Sequence, residues 1–184
     1  MSGFRAWLYW AALAIAVAAI VYVASVHAVP GLVMSRALSM MGTPNTIHHA
    51  GRVTETSRAV VRPSPDLLYS TCPFDLSAGP LRVRSAVPPG TYWSVSAFDA
   101  GTGNFFVLND KQAGNGVVDF LIVQRGTKPN TKGFKVVVSP PRRGLVLFRT
   151  LIASEKQLPA LDALRREATC ATFHARPSDV SGRH

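Results

Sequence analysis

Cysteine is nearly absent: the 184 residues contain two, Cys72 and Cys170. Their separation of 98 positions excludes the C-x-x-C spacing of redox and zinc sites. Familiar catalytic signatures are missing as well. There is no G-x-S-x-G elbow, no Walker loop, no H-E-x-x-H and no strand-linked G-x-G-x-x-G, and Gly101-Thr102-Gly103-Asn104 reads as a turn between strands. The sequence therefore assigns no catalytic residue, no metal and no cofactor. Charge is sparse at 16%, and the excess of 20 Lys and Arg over 10 Asp and Glu is dispersed along the chain. Without a dense cationic stripe carrying interleaved aromatics, nucleic acid is excluded as a partner. With 14 Gly and 13 Pro beside 47% hydrophobic residues, the chain is neither collagen-like nor disordered. Its length excludes a large multidomain enzyme.

A long uncharged run comes first. Residues 7–26 read WLYWAALAIAVAAIVYVASV, and a helix of twenty residues at about 1.5 Å each spans a hydrocarbon core of roughly 30 Å. Trp7, Tyr9, Trp10 and Tyr22 lie near its ends, where amphipathic rings favour the headgroup level. Two readings compete: an uncleaved anchor, or a secretory signal cut near Val26-His27-Ala28. Twenty apolar residues exceed the usual signal core of about 7–15, which favours the anchor, and either reading exports the remainder. The leader carries Arg5 and the next cation is Arg36, so the near-membrane bias puts the N-terminus inside and the body on the periplasmic or outer side of the inner membrane. Ala12 with Ala16, and Ala14 with Ala18, have the small-xxx-small spacing of close helix pairs, a pattern common by chance in Ala-rich spans. Pro30 and Gly31 are expected to end the span. A short helix over 32–41 follows, with Val33, Ala37 and Met40 or Met41 on one side, lying on the membrane or packed on the body. The implied division is anchor 1–29, linker 30–45, body 46–172 and tail 173–184.

Beyond residue 45 the pattern becomes extended. Short apolar runs between Pro and Gly punctuation predict strands over 57–62, 67–70, 81–85, 91–98, 104–108, 117–124, 134–139 and 145–149. Eight short strands joined by loops too brief for crossover helices predict a largely antiparallel β-sandwich. Trp93, Val95 and Ala97 should share one face of their strand and Tyr92, Ser94 and Ser96 the other. Val136-Val137-Val138 and Leu145-Val146-Leu147-Phe148 are apolar on both faces, which predicts central or covered strands. Ser154-Glu155-Lys156-Gln157 has the form of a capping box before a C-terminal helix carrying Leu158, Leu161, Leu164 and Ala168, although Pro159 shifts the start towards Leu158. The two cysteines permit a disulfide, which would tie the closing helix to the sheet.

Several segments carry a resemblance. Ser64-Pro65-Asp66-Leu67-Leu68-Tyr69-Ser70, Phe74-Asp75-Leu76-Ser77-Ala78-Gly79-Pro80-Leu81, Thr91-Tyr92-Trp93-Ser94-Val95, Asp119-Phe120-Leu121-Ile122-Val123, Ser139-Pro140 and Leu147-Phe148-Arg149-Thr150-Leu151 occur in order across residues 45–168. In this the chain resembles the bacterial domain-of-unknown-function 1254 family. Where that family usually has D-T-L-Y, this chain has Asp66-Leu67-Leu68-Tyr69. The resemblance implies a β-rich, sandwich-like domain and supplies no mechanism. Longer members join a second unknown-function domain, 1214, C-terminally, so a separate protein carrying that domain is the implied partner.

The candidate binding residues are Asp66, Tyr69, Trp93, Asp99 and Asn104. Asp66 and Tyr69, three apart beside Pro63 and Pro65, could offer one ligand an acceptor and a donor; equally, Asp66 could serve turn amides while Tyr69 packs in the sheet. Trp93, with Tyr92 and Phe98, could form a stacking platform or lie in the core. Asp99 and Asn104 flank a glycine turn at a sandwich rim, where loop groups meet ligands. His48-His49 are a poor metal pair alone, because neighbouring side chains diverge, and with Asp66 they could bind zinc or serve local hydrogen bonds. Three functions follow: a membrane-tethered exported module that binds an envelope ligand or partner, a small hydrolase or isomerase using Asp66, Tyr69 and His48 or His49, or a structural envelope component. The basic balance suits either attraction to anionic headgroups or a merely soluble surface.

Overall fold

A computed structural model describes residues 2–54, 56–57, 63–114, 116–127, 129, 131 and 133–174. The strand expected over 57–62 lies largely outside them, as does the tail from residue 175. The first element is one helix, α1, Ser2–Met40. The expected end at Pro30-Gly31 is not there: Pro30 lies inside the helix. Proline removes one backbone N–H and frees the carbonyl near residue 26, the loss of one bond in a helix of 39 residues.

The body is a two-sheet sandwich built from β1 His48–His49, β2 Leu67–Asp75, β3 Leu81–Val87, β4 Trp93–Asp99, β5 Asn104–Asn109, β6 Gly116–Gln124, β7 Lys135–Ser139, β8 Arg143–Leu151 and β9 Thr169–Thr172. One sheet has the order β1-β2-β8-β4-β5, the other β7-β6-β3-β9. Two helices complete it: a single turn α2, Asp110–Ala113, and α3, Leu158–Arg166. All pairings are antiparallel except β6 with β7, which are parallel, Phe120 facing Lys135 and Gln124 facing Ser139. Loop length did not exclude this pairing. None of the described residues of the connection over 125–134 is helical, yet ten residues can reach about 33 Å, ample to carry the chain back along a five-residue strand.

The core lies between the sheets and follows strand alternation. Phe74, Trp93, Val95, Phe120, Ile122, Val146 and Phe148 point inward and are buried, each contributing about 1.5–3 kcal/mol through removal from water. β8 is central and apolar on both faces, as its sequence predicts. Near its start the outer face is covered by the N-terminal helix, where Met34 and Leu38 pack on Leu145, with Met41 and Phe98 beside them. The packed stripe is Met34, Ala37, Leu38 and Met41; Val33 and Met40, expected on the inner side, are exposed. β7 departs from expectation. It is an edge strand, and Val136 and Val138 are 40% and 50% exposed while Val137 alone of the three faces the core.

The disulfide forms between Cys72 on β2 and Cys170 on β9, with Cα atoms 6.5 Å apart. It therefore links sheet to sheet rather than sheet to helix, because residues 169–172 leave α3 and become a strand beside β3. The capping box does not close: Ser154 makes no side-chain cap bond, and α3 begins at Leu158 with Pro159 in its first turn. Phe173, counted in the tail by sequence, packs on Leu121, Val123 and Phe134.

Candidate functional site

The predicted binding residues fall at opposite ends of the sandwich. Asp66 and Trp93 lie near the end formed by Leu67 and Leu151, whereas Asp99 and Asn104 lie at the other, where Asp75 and Arg143 pair. The six residue steps of β4 between Trp93 and Asp99 span about 20 Å. One ligand of modest size cannot touch both sets.

Tyr69 and Asp99 are engaged by their own turns, and Trp93 is in the core. Asp66 is exposed, and its carbonyl accepts from the Ile152 N–H at 2.8 Å. The Tyr69 hydroxyl accepts from the Ser64 N–H at 3.0 Å, so the phenol closes its own turn. Trp93 is 2% exposed, within the core, and offers no face to a sugar. Asp99 Oδ1 accepts from the N–H groups of Gly101 and Gly103, both at 2.8 Å, which fixes the hairpin between β4 and β5. Asn104 is exposed at the start of β5. His48 pairs with Thr71 and its Nε2 lies 3.2 Å from the Thr43 carbonyl; His49 pairs with Ser70 and its Nδ1 lies 2.8 Å from Ser70 Oγ. Ser70 alternates with Thr71 along β2, so the two histidines serve opposite faces of the sheet. Among the described residues no three His, Cys, Asp or Glu side chains are grouped to hold a metal.

A denser polar centre escaped the sequence reading. Arg165 on α3, with a side chain only 8% exposed, donates to Asp162 Oδ1 at 2.6 Å, to the Tyr69 carbonyl at 2.8 Å and to the Ala50 carbonyl at 2.9 Å. Its guanidinium thereby ties the helix to β2 and to the chain after β1. Asp162 also accepts from Arg166 at 2.8 Å, and the bonds from Arg166 and Arg165 hold its carboxyl below the usual range despite burial. His49, beside this centre, is held below the ordinary histidine value by burial first, then by Arg165 and Arg166. A Ser–His contact with an Asp nearby invites a catalytic reading, but Ser70 Oγ points into the sandwich and Ser70 is buried. The Arg165 contacts tie α3 to β2 and to the chain after β1. The sequence signal for them was an Arg-Arg pair in the last turn of a helix whose apolar face is narrow.

Among the described residues two clefts stand out on the body, and neither is lined by Asp66, Tyr69 or a histidine. The larger, about 640 Å³, is bounded by Leu76, Ser77, Pro80, Gln124, Pro129 and Arg142. It sits at the end of the sandwich that receives α1. Asn45, just after the helix, accepts from the Asp75 N–H and donates to the Asp75 carbonyl, both at 2.9 Å, and Leu76 and Ser77 follow directly. Asp75 also faces Arg142 at 3.3 Å and Arg143 at 3.8 Å. Burial pushes its carboxyl up, but bonds from Ser77 and the two guanidinium groups outweigh this and hold it below the usual range. The smaller cleft, about 310 Å³, lies at the opposite end beside Pro88, Tyr92 and Asp110.

The model of the family described as "Protein of unknown function (DUF1254)" matches residues 44–172, well over half of the chain. The chain belongs to the DUF1254 family. The matched region begins just after α1 and ends with β9, so the DUF1254 body is the disulfide-closed sandwich, with α3 inside it. No curated protein matches the chain. Among solved structures, the VPA0106 protein from Vibrio parahaemolyticus is similar over 84% of this chain and 42% of its own, with a TM-score of 0.62 and 12% identity. An uncharacterized protein from Burkholderia cenocepacia is similar over 81% of this chain and 40% of its own, with a TM-score of 0.52 and 16% identity. These likenesses concern the fold. The chain spans about two fifths of the length of either structure.

Proposed function

We propose that this DUF1254 chain is a single-pass inner-membrane protein whose sandwich faces the periplasm or exterior and works by binding rather than by catalysis. The observation that carries the reading is α1. Its apolar window has a mean hydropathy of 2.3 and none of it is buried against the body, while the last turns pack on Leu145. A helix that apolar and that bare needs a lipid environment. The Cys72–Cys170 disulfide favours an oxidising compartment for the body. Binding is preferred to chemistry because Tyr69, His49 and Asp99 are tied into separate turns and pairings, and Asp66 lies at the opposite end of the sandwich from Asp99 and Asn104. Membranes washed in alkaline carbonate should retain the protein, with an intact mass that includes the leader and lacks two hydrogens at the cysteines. Release into the wash, or a mass beginning after residue 28, would contradict the reading.

The partner we propose is a separate protein carrying the unknown-function 1214 domain, seated on the free edge of β7. Among the described residues no further strand pairs with β7, Val136 and Val138 are exposed on its outer face, and an unpaired strand edge is a template for a further strand. The long remainder of both similar structures supports the idea that a DUF1254 body accompanies further polypeptide. A photo-crosslinker at position 138 should capture one such protein in intact cells, and Val136→Asp should abolish the capture. Capture at background level alone would refute it.

A further inference from the structure

We propose that the helix-bearing end of the sandwich sits in the headgroup layer and holds the phosphate of an anionic lipid in the cleft beside Arg142. This rests on the membrane-anchored reading above. The argument begins with where the bilayer must stop. On α1 the exposed apolar surface does not end at Val26: Val29, Leu32 and Val33 are all more than half exposed, on the side away from the body. Met34 is already buried on Leu145, one residue later. The lipid-facing surface therefore runs up to the sandwich. The uncharged stretch from Ala6 to Ser35 is 30 residues, about 45 Å of helix, longer than the roughly 30 Å core, so tilting or sliding lets lipid cover it to its end.

That contact end is cationic. Arg36 is the first formal charge after Arg5 and is exposed on the final turns of α1. Arg125, at the end of β6, and Arg142 and Arg143, at the start of β8, are exposed on the same end. The facing acids are Asp75, which meets both Arg142 and Arg143, and Asp99, whose Oδ1 is engaged by its own turn. One carboxylate shared between two guanidinium groups leaves donor capacity unmet, since each guanidinium has five N–H groups.

The cleft has the chemistry for a phosphodiester. Arg142 supplies a charged fork, the Ser77 hydroxyl and the Gln124 amide supply neutral donors, and Leu76, Pro80 and Pro129 give apolar walls for the glycerol. At about 640 Å³ it is within the range of small-ligand sites. Free phosphate has the same chemistry, but a cleft beside the anchor meets headgroups at far higher local concentration, so the commitment is to lipid.

The test uses the full chain in nanodiscs of phosphatidylcholine containing 30% phosphatidylglycerol, with mass spectrometry of lipids retained on the protein after extraction. Wild type should retain phosphatidylglycerol about fivefold over its share of the bilayer, an effect of the size given by a single near-surface cation or slightly more. Arg142→Ala with Arg143→Ala should bring retention to the bulk ratio while leaving the melting profile in place. Asp75→Asn keeps the acceptor for the Ser77 N–H but removes the competing charge, so it should raise retention above wild type. Equal retention of both lipids by wild type, enrichment unchanged in the double variant, or a fall in Asp75→Asn would each overturn the proposal. Enrichment that 10 mM inorganic phosphate abolishes at constant ionic strength would reassign the cleft to a soluble phosphate and overturn the lipid claim. Failure of the anchoring reading looks different: the protein would then not enter nanodiscs at all.

Discussion

Opening the Cys72–Cys170 bridge is the perturbation with the largest effect expected on the body. The bridge joins the two sheets: it runs from β2, beside β8, to the edge strand β9, beside β3, and crosses the core between them. It spans 98 positions of chain, and the loop-entropy relation for that length gives about 4.7 kcal/mol at 25 °C. Unfolding entropy near 60 °C is about 2.1 cal/mol/K per residue, or about 0.27 kcal/mol/K over the roughly 130 residues of the matched body. The midpoint should therefore fall by about 17 °C on reduction. Circular dichroism melts of the detergent-solubilised protein, oxidised and after a phosphine reductant, compare two forms that differ by two hydrogens and no cavity. A drop under about 5 °C would mean that inter-sheet packing, with Trp93, Phe120 and Phe148, holds the sheets together without the crosslink, and the entropic reasoning would fail.

Arg165→Met should cost about 2–4 kcal/mol, because it leaves the carbonyls of Tyr69 and Ala50 and the Asp162 carboxylate without their buried donor, whereas Arg166→Ala, at an exposed pair, should cost less than about 1 kcal/mol; urea melts of the two variants measure the contrast. Acid should act in two stages. His49 has a lowered folded pKa, so its contribution is complete above the ordinary histidine value near 6.5 and is lost as pH falls through the lower folded value; His49→Gln should flatten stability as pH falls below 6.5, and an unchanged slope would refute the assignment. Asp75 and Asp162, also lowered in the fold, contribute above the ordinary carboxyl value near 3.8 and lose that contribution as pH falls through their lower folded values, so a second loss should begin below about pH 4 in the same titration.

How far the chain's architecture can be read from its residues depends on the range of the interactions that decide it. Period-two patterns placed β2 through β8 within a few residues, because alternation is set by the pleat and by burial on one face, and Trp93-Val95-Ala97 points inward as the pattern demands. Partner choice is non-local. Val136-Val137-Val138 has the composition of a central strand but lies at an edge, paired in parallel, and nothing within the segment specifies that neighbour. Thr169-Cys170-Ala171-Thr172 follows a helix so closely that four residues give no strand pattern of their own, and the disulfide expected to tie that helix to the sheet joins sheet to sheet instead. Pro30 marked a stop that the helix overrides. For the candidate site, residue types were informative and geometry was not: Asp66, Tyr69 and His49 are close in sequence or register, yet their side chains turn to different faces and turns. Arg165 was invisible for the opposite reason, since its partners Ala50 and Tyr69 lie 115 and 96 positions away.

The central claim is that an uncut apolar helix holds an oxidised sandwich against the outer face of the inner membrane. Proteolysis of intact spheroplasts tests it most directly. The account predicts that added protease destroys the body while a membrane-embedded fragment containing α1, with its original N-terminus, survives. Protection of the body until detergent opens the vesicle would place the sandwich on the other side, and recovery of a folded body free of the leader would remove the mooring; either result would contradict the account.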